Sequence, residues 1–113
     1  MRLVTLGLIV LFGFGQASAA EKATRFWNLT SDTVTSLRLA PTGTTSFGPD
    51  LAKIDSDGAV DHDERLAIKD LPTGTYDVSI GFKSGRSCAV KGLKIEAASI
   101  FSIEEKDLSN CAK

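Results

Sequence analysis

From Thr75 to Phe82 every second residue is apolar. Tyr76, Val78, Ile80 and Phe82 share one side of an extended chain, and Thr75, Asp77, Ser79 and Gly81 share the other. A period of two describes a strand with one buried face and excludes a helix, whose apolar positions recur every three or four residues. The segment is entered through Leu71-Pro72-Thr73-Gly74. There proline presets φ and glycine takes the positive φ of a tight turn. It leaves through Lys83-Ser84-Gly85-Arg86, a hairpin connection into a partner strand over 88–95.

The same pattern recurs on both sides. Residues 24–29 alternate around Phe26 and Trp27 and end in a turn-prone stretch over 28–32. Residues 34–40 place Val34, Leu37 and Leu39 inward with one position out of phase, which a bulge absorbs. Pro41 cannot donate to a ladder and ends that strand. Leu66 and Ile68 form the apolar face of a third strand. Cys88, Val90, Leu93 and Ile95 point inward with a slip at Gly92, again the mark of a bulge. A last run over 99–103 sets Ile100 and Ser102 on one face and Phe101 and Ile103 on the other. With no helical period from Thr24 onward, the expected fold is all-β: a small antiparallel β-sandwich of about six to seven strands.

Residues 1–19 stand apart from this pattern. Met1-Arg2 supplies a positive start, 3–14 is an apolar run, and Ala17-Ser18-Ala19 offers a small-x-small cleavage site. Together these form a secretory signal peptide, too short for a membrane anchor. The expected organisation is a cleaved signal over 1–19, then a single domain over 20–113, periplasmic or secreted and not inserted in a membrane. Losing Arg2 from the 13 basic residues leaves 12 against 14 acidic ones, a net charge of −2. Such a balance offers no basic stripe for nucleic acid and no polybasic patch for a membrane surface.

A domain this small gains from a staple. Cys88 and Cys111, both beyond the signal, are expected to form one disulfide. It would close a loop of roughly 23 residues, worth about 3 kcal/mol in a chain-entropy model. The rival reading, a pair of metal-binding or redox thiols, lacks a C-x-x-C spacing and a nearby histidine.

The one long irregular stretch is 41–63, and loops of that length in compact domains are commonly functional or mobile. It runs into Asp55, Asp57, Asp61, Asp63 and Glu64, with Gly58 and His62 among them. Five carboxylates so close repel one another and need a compensating partner: solvent, Arg65 and Lys69, or a bound cation. Hard cations take six to eight oxygen ligands, and a glycine lets the backbone reverse so that alternate carboxylates converge. The stretch resembles an EF-hand or dockerin-type calcium loop. With Gly58 sixth, Asp55 and Asp57 fall third and fifth, Asp61 ninth and Glu64 twelfth. Lys53 stands where the first aspartate belongs, and strands rather than helices flank the loop; Asp50 or Asp63 is a candidate replacement ligand. The expected metal site is Asp55, Asp57, Asp61, His62, Asp63 and Glu64, holding Ca²⁺ or a trivalent lanthanide ion. Two chains completing one site would give a metal-centred homodimer. The bland alternative is a solvated acidic loop serving turn chemistry.

Smaller signals weigh less. His62, the sole histidine, is a ligand, a pH sensor or simply exposed. No serine has the context of a nucleophile, and nothing singles out Asp61 and Glu64 as a catalytic pair, so an enzyme is not expected. Asn28-Leu29-Thr30 fits the N-glycosylation pattern but reads here as a turn. Trp27, Phe47 and Phe101 are expected in the core rather than in an exposed patch.

Several segments also share a pattern: Asn28 to Ser31, the alternating run ending at Pro41, Phe47-Gly48-Pro49-Asp50-Leu51, and Leu71 to Val78. The chain is similar in these to small exported bacterial domains predicted as β-sandwiches. The resemblance implies fold and export and brings no agreed ligand. The acid-rich stretch before Leu66 goes beyond the short turn usual there. The expected function is a non-enzymatic periplasmic carrier, chaperone or sensor for a hard cation. The alternative is an envelope protein that presents a sheet edge or loop to a partner protein and holds no metal.

Overall fold

The computed structural model describes residues 22–113, so the expected signal segment lies outside the described residues. Seven strands follow one another: β1 (Thr24–Leu29), β2 (Val34–Pro41), β3 (Arg65–Ile68), β4 (Gly74–Phe82), β5 (Ser87–Ile95), β6 (Ile100–Glu104) and β7 (Ser109–Ala112). They form two sheets, β3-β1-β6 and β2-β4-β5-β7. The all-β sandwich read from the alternation is the fold.

The inner faces come from the apolar half of each alternation. The small sheet contributes Phe26, Leu66, Ile68, Phe101 and Ile103; the large one contributes Leu37, Leu39, Val78, Ile80, Phe82, Val90 and Ile95. Phe26 and Phe101 lie on paired positions of β1 and β6 with ring centroids 5.5 Å apart. Burying each such side chain contributes about 1.5–3 kcal/mol. Of the three aromatics expected inside, only Phe101 is core. Phe47 is 40% exposed and Trp27 is half-buried. Trp27 falls on the outer phase of β1, where Arg65 stacks over its ring at 4.2 Å.

Both expected bulges are present. One shifts the β2–β4 register between Val34 and Ser36. The other lies opposite Asp77, where Gly92 takes a φ of 65°. Asp77 itself is buried; it accepts from Gly92 N (3.0 Å), Thr42 Oγ1 (3.0 Å) and Gly43 N (3.3 Å). The Gly92 N–H above all, with the other donors and Lys91, holds its carboxyl below the usual range against the cost of burial.

Two features depart from the expectation. The sandwich is not purely antiparallel: β1 and β6 run parallel, because the chain reaches β6 by crossing from the large sheet back to the small one. In addition, β7 is a strand with all four residues exposed. The Cys88–Cys111 disulfide joins it to β5, as the two cysteines implied.

Candidate cation site in the acidic loop

The acidic stretch is tied down along its length. Asp50 Oδ1 accepts from Leu37 N (2.9 Å) on β2 and from Ala52 N (3.1 Å), capping a 3-10 turn at Leu51–Ile54. Val60, fully buried, exchanges two backbone bonds of 2.9 Å with Val34. The far end is held to β1, with Asn28 N donating to Glu64 O and Asp63 N to Asn28 O.

Beneath this lies a buried polar knot. Asn28 and Thr30 are both fully buried. The Asn28 amide nitrogen donates to Val60 O and Asp32 O, each at 2.9 Å. Its oxygen accepts from Thr30 N (3.0 Å) and Thr30 Oγ1 (2.7 Å). All four capacities of the amide are used, as burial requires. The N-x-T triplet thus straddles the end of β1, with Asn28 and Leu29 in the strand and Thr30 in the bend after it, rather than forming a turn, and the Asn28 amide is closed to glycosylation.

The six expected ligands separate into two groups. Asp55, Asp61 and Glu64 are the ones that act on one another: the Glu64 carboxyl feels the charges of Asp55 and Asp61. The Asp61 N–H donated to Glu64 Oε1 (2.7 Å) favours the carboxylate. Partial burial and the two acidic neighbours outweigh it, so the Glu64 carboxyl is pushed above its ordinary range. Asp61 Oδ1 is oriented by Thr33 Oγ1 at 3.1 Å.

The other three are turned elsewhere. Asp57 is exposed, its N–H donated to Asp55 Oδ1 at 2.9 Å. Asp63, in the left-handed region at φ 70°, accepts from Trp27 Nε1 at 3.0 Å. His62 Nδ1 bonds the Thr30 carbonyl at 2.6 Å, which makes Nδ1 the protonated nitrogen. The full set does not converge, and among the described residues no group of three or more His, Cys, Asp or Glu is arranged to hold a metal ion.

Gly58 takes the positive φ, 74°, that the loop pattern assigns to its sixth position. Lys53, in the first position and largely exposed, lays its ammonium across the loop surface near Thr35 O (3.2 Å) and Gly58 O (3.4 Å), with Asp50 at 3.9 Å. The four ion pairs among the described residues involve none of Asp55, Asp57, Asp61, Asp63 and Glu64. What the arrangement offers is Glu64 with two carboxylates in electrostatic range, on an ordered loop and without a basic partner. Trp27, Asn28, Thr30, Thr33 and Asp50 support it, and sequence reading assigned them no such role. Only the N-x-T-x-D spacing, typical of side chain to backbone turns, hinted at it. Compared with protein-family models, curated proteins and solved structures, the chain matches none.

Proposed function

We propose that the protein binds a hard multivalent cation, calcium or a trivalent lanthanide ion, around Asp55 and Glu64 with Asp61 beside them. It would act as a non-enzymatic carrier, chaperone or sensor in the periplasm or outside the cell. The observation that carries this reading is a group of carboxylates on one tied-down loop, none of them in an ion pair among the described residues; the upward push on the Glu64 carboxyl agrees with it. A site that attracts a proton because negative charge is crowded and unpaired also attracts a small, highly charged cation. Carboxylate oxygens suit hard ions, and water and loop carbonyls would complete the shell.

The test is a terbium titration of the mature, metal-stripped protein. Trp27 bonds to Asp63, next to Glu64, and so stands ready as a sensitiser. Tb³⁺ emission under indole excitation is expected to rise and saturate, and Ca²⁺ in excess to reverse it. Asp55→Asn together with Glu64→Gln is expected to remove the response. Emission that survives both changes would place the ion elsewhere.

A further inference from the structure

The outer face of the small sheet carries a row of cations. β1 and β3 pair Trp27 with Arg65 and Arg25 with Ala67, and Lys69 lies one step beyond the last matched pair, Thr24 with Ile68. Arg25, Arg65, Ala67 and Lys69 are exposed while Thr24, Phe26, Leu66 and Ile68 are buried, so the four share the outward phase. The row runs Arg65, Arg25, Lys69, alternating between the two strands in steps of about 7 Å along them. Lys22 continues it: with Lys69 it lines a hollow of about 680 Å³ at the end of the sheet. Among the described residues none of these four bases enters an ion pair. Net charge hides the row, because only the β1–β3 pairing brings its two halves together.

Other groups on this face narrow what it can take. Arg65 lies over the Trp27 ring at 4.2 Å, which holds the guanidinium and leaves its in-plane N–H donors free for a carboxylate. Two carboxylates border the row. Asp63 accepts from Trp27 Nε1 through Oδ1 at 3.0 Å, which leaves Oδ2 open, and Asp70 lines the hollow beside Lys22 and Lys69. Ala67 and Ile100, on the two strands flanking Arg25, are exposed and apolar.

We propose that this face binds an extended acidic polysaccharide, a polymer of uronic acid laid along the row. Cations stepped in a line complement a linear polyanion better than a single small anion, and the guanidinium fork matches a carboxylate with two parallel bonds. Asp63 and Asp70 choose among polyanions. Each is an acceptor only. A nucleic-acid backbone or a phospholipid surface turns phosphates toward them and is repelled, whereas a sugar polymer brings hydroxyl donors between its charges. Nucleic acid also calls for a more uniformly basic surface than this one. Ala67 and Ile100 supply apolar contact for the C–H faces of the sugar rings.

The binding needs no metal, so it is tested in EDTA on the mature disulfide-bonded chain. The readouts are titration calorimetry and the emission of Trp27, the one tryptophan in the chain, which sits within the row. Polygalacturonate is expected to bind with saturation, to change Trp27 emission and to bind more weakly as sodium chloride is raised. Neutral dextran is expected to do none of this. Arg25→Gln and Arg65→Gln are each expected to raise the Kd at least about fivefold with unchanged circular dichroism. Lys83→Gln removes the same charge from the exposed β4–β5 turn and is expected to leave the Kd unchanged. Should Arg65→Gln disturb the Trp27 environment, Arg25→Gln decides. Three results would overturn the proposal: no binding of polygalacturonate at low salt, an equal loss in Lys83→Gln, or tighter binding to single-stranded DNA, phosphatidylglycerol vesicles or dextran.

Discussion

Asn28 does more for the candidate site than any single carboxylate. Its amide joins the β1–β2 turn to Val60, and through Val60 it fixes where the acidic loop begins its return. Replacing it with alanine strands the buried Thr30 N–H and takes one of two donors from the Val60 carbonyl, which keeps Val34 N. Asn28→Ala is therefore expected to cost about 2–4 kcal/mol in urea denaturation, with faster amide exchange at Val60. Glu64 works in the opposite sense. Its carboxyl is pushed up in the fold, so its contribution to stability is present below the ordinary carboxyl range and is lost as pH rises through the raised value. Glu64→Gln keeps an acceptor for Asp61 N and removes the charge. It is expected to stabilise the metal-free protein at neutral pH while weakening its response to calcium, both read from melts with and without the ion. Neither role was legible in the sequence. The Asn28–Val60 contact depends on a pairing 32 positions away, and no local pattern announces that Glu64 feels Asp55 rather than Asp57.

Strands were legible where they alternate and obscure where they do not. β4 and β5 bury one face each and read directly from period two. β7, with Ser109, Asn110, Cys111 and Ala112 all exposed, has no alternation to read, and Cys111 was its one signal. Reducing the disulfide is expected to lower stability by about 3 kcal/mol and to release β7 first, seen as amide exchange confined at early times to Ser109–Ala112. The turns at this end of the sandwich are held by charge. Arg86 bonds Glu105 through two nitrogens (3.0 and 3.1 Å), and Glu105 also accepts from Ser31 N and Oγ at 3.0 Å. Arg86 above all, then Ser31, lowers the Glu105 carboxyl to about 2. A lowered carboxyl stabilises the fold above its unfolded value and stops doing so as pH falls toward about 2. The carboxylate side chain is 44% exposed, so screening reduces the effect to about 1 kcal/mol. Glu105→Gln is expected to remove that share of the acid sensitivity between pH 4.5 and 2, measured as the denaturation midpoint against pH.

At the scale of the whole molecule, the cation reading demands a stability that depends on the ion. Binding at the acidic loop raises the melting temperature by mass action. At a free ion concentration of 100 times Kd the gain is about 2.7 kcal/mol, or on the order of 10–20 °C for a domain of this size. That shift is expected for calcium or terbium and not for sodium at matched ionic strength.

The parallel pairing of β1 with β6 also governs how the chain reaches this state. Every neighbour of β1 is remote in sequence: Thr24 to Trp27 meet Arg65 to Ile68, and Arg25 to Leu29 meet Ile100 to Glu104. The β4–β5 hairpin of the large sheet closes locally, but the small sheet has no local nucleus and closes only after β6 has been made. Loop-closure entropy precedes its rewards, so refolding is expected on the millisecond-to-second scale rather than in microseconds. Until then, the first strand to emerge is an apolar segment waiting for the last third of the chain.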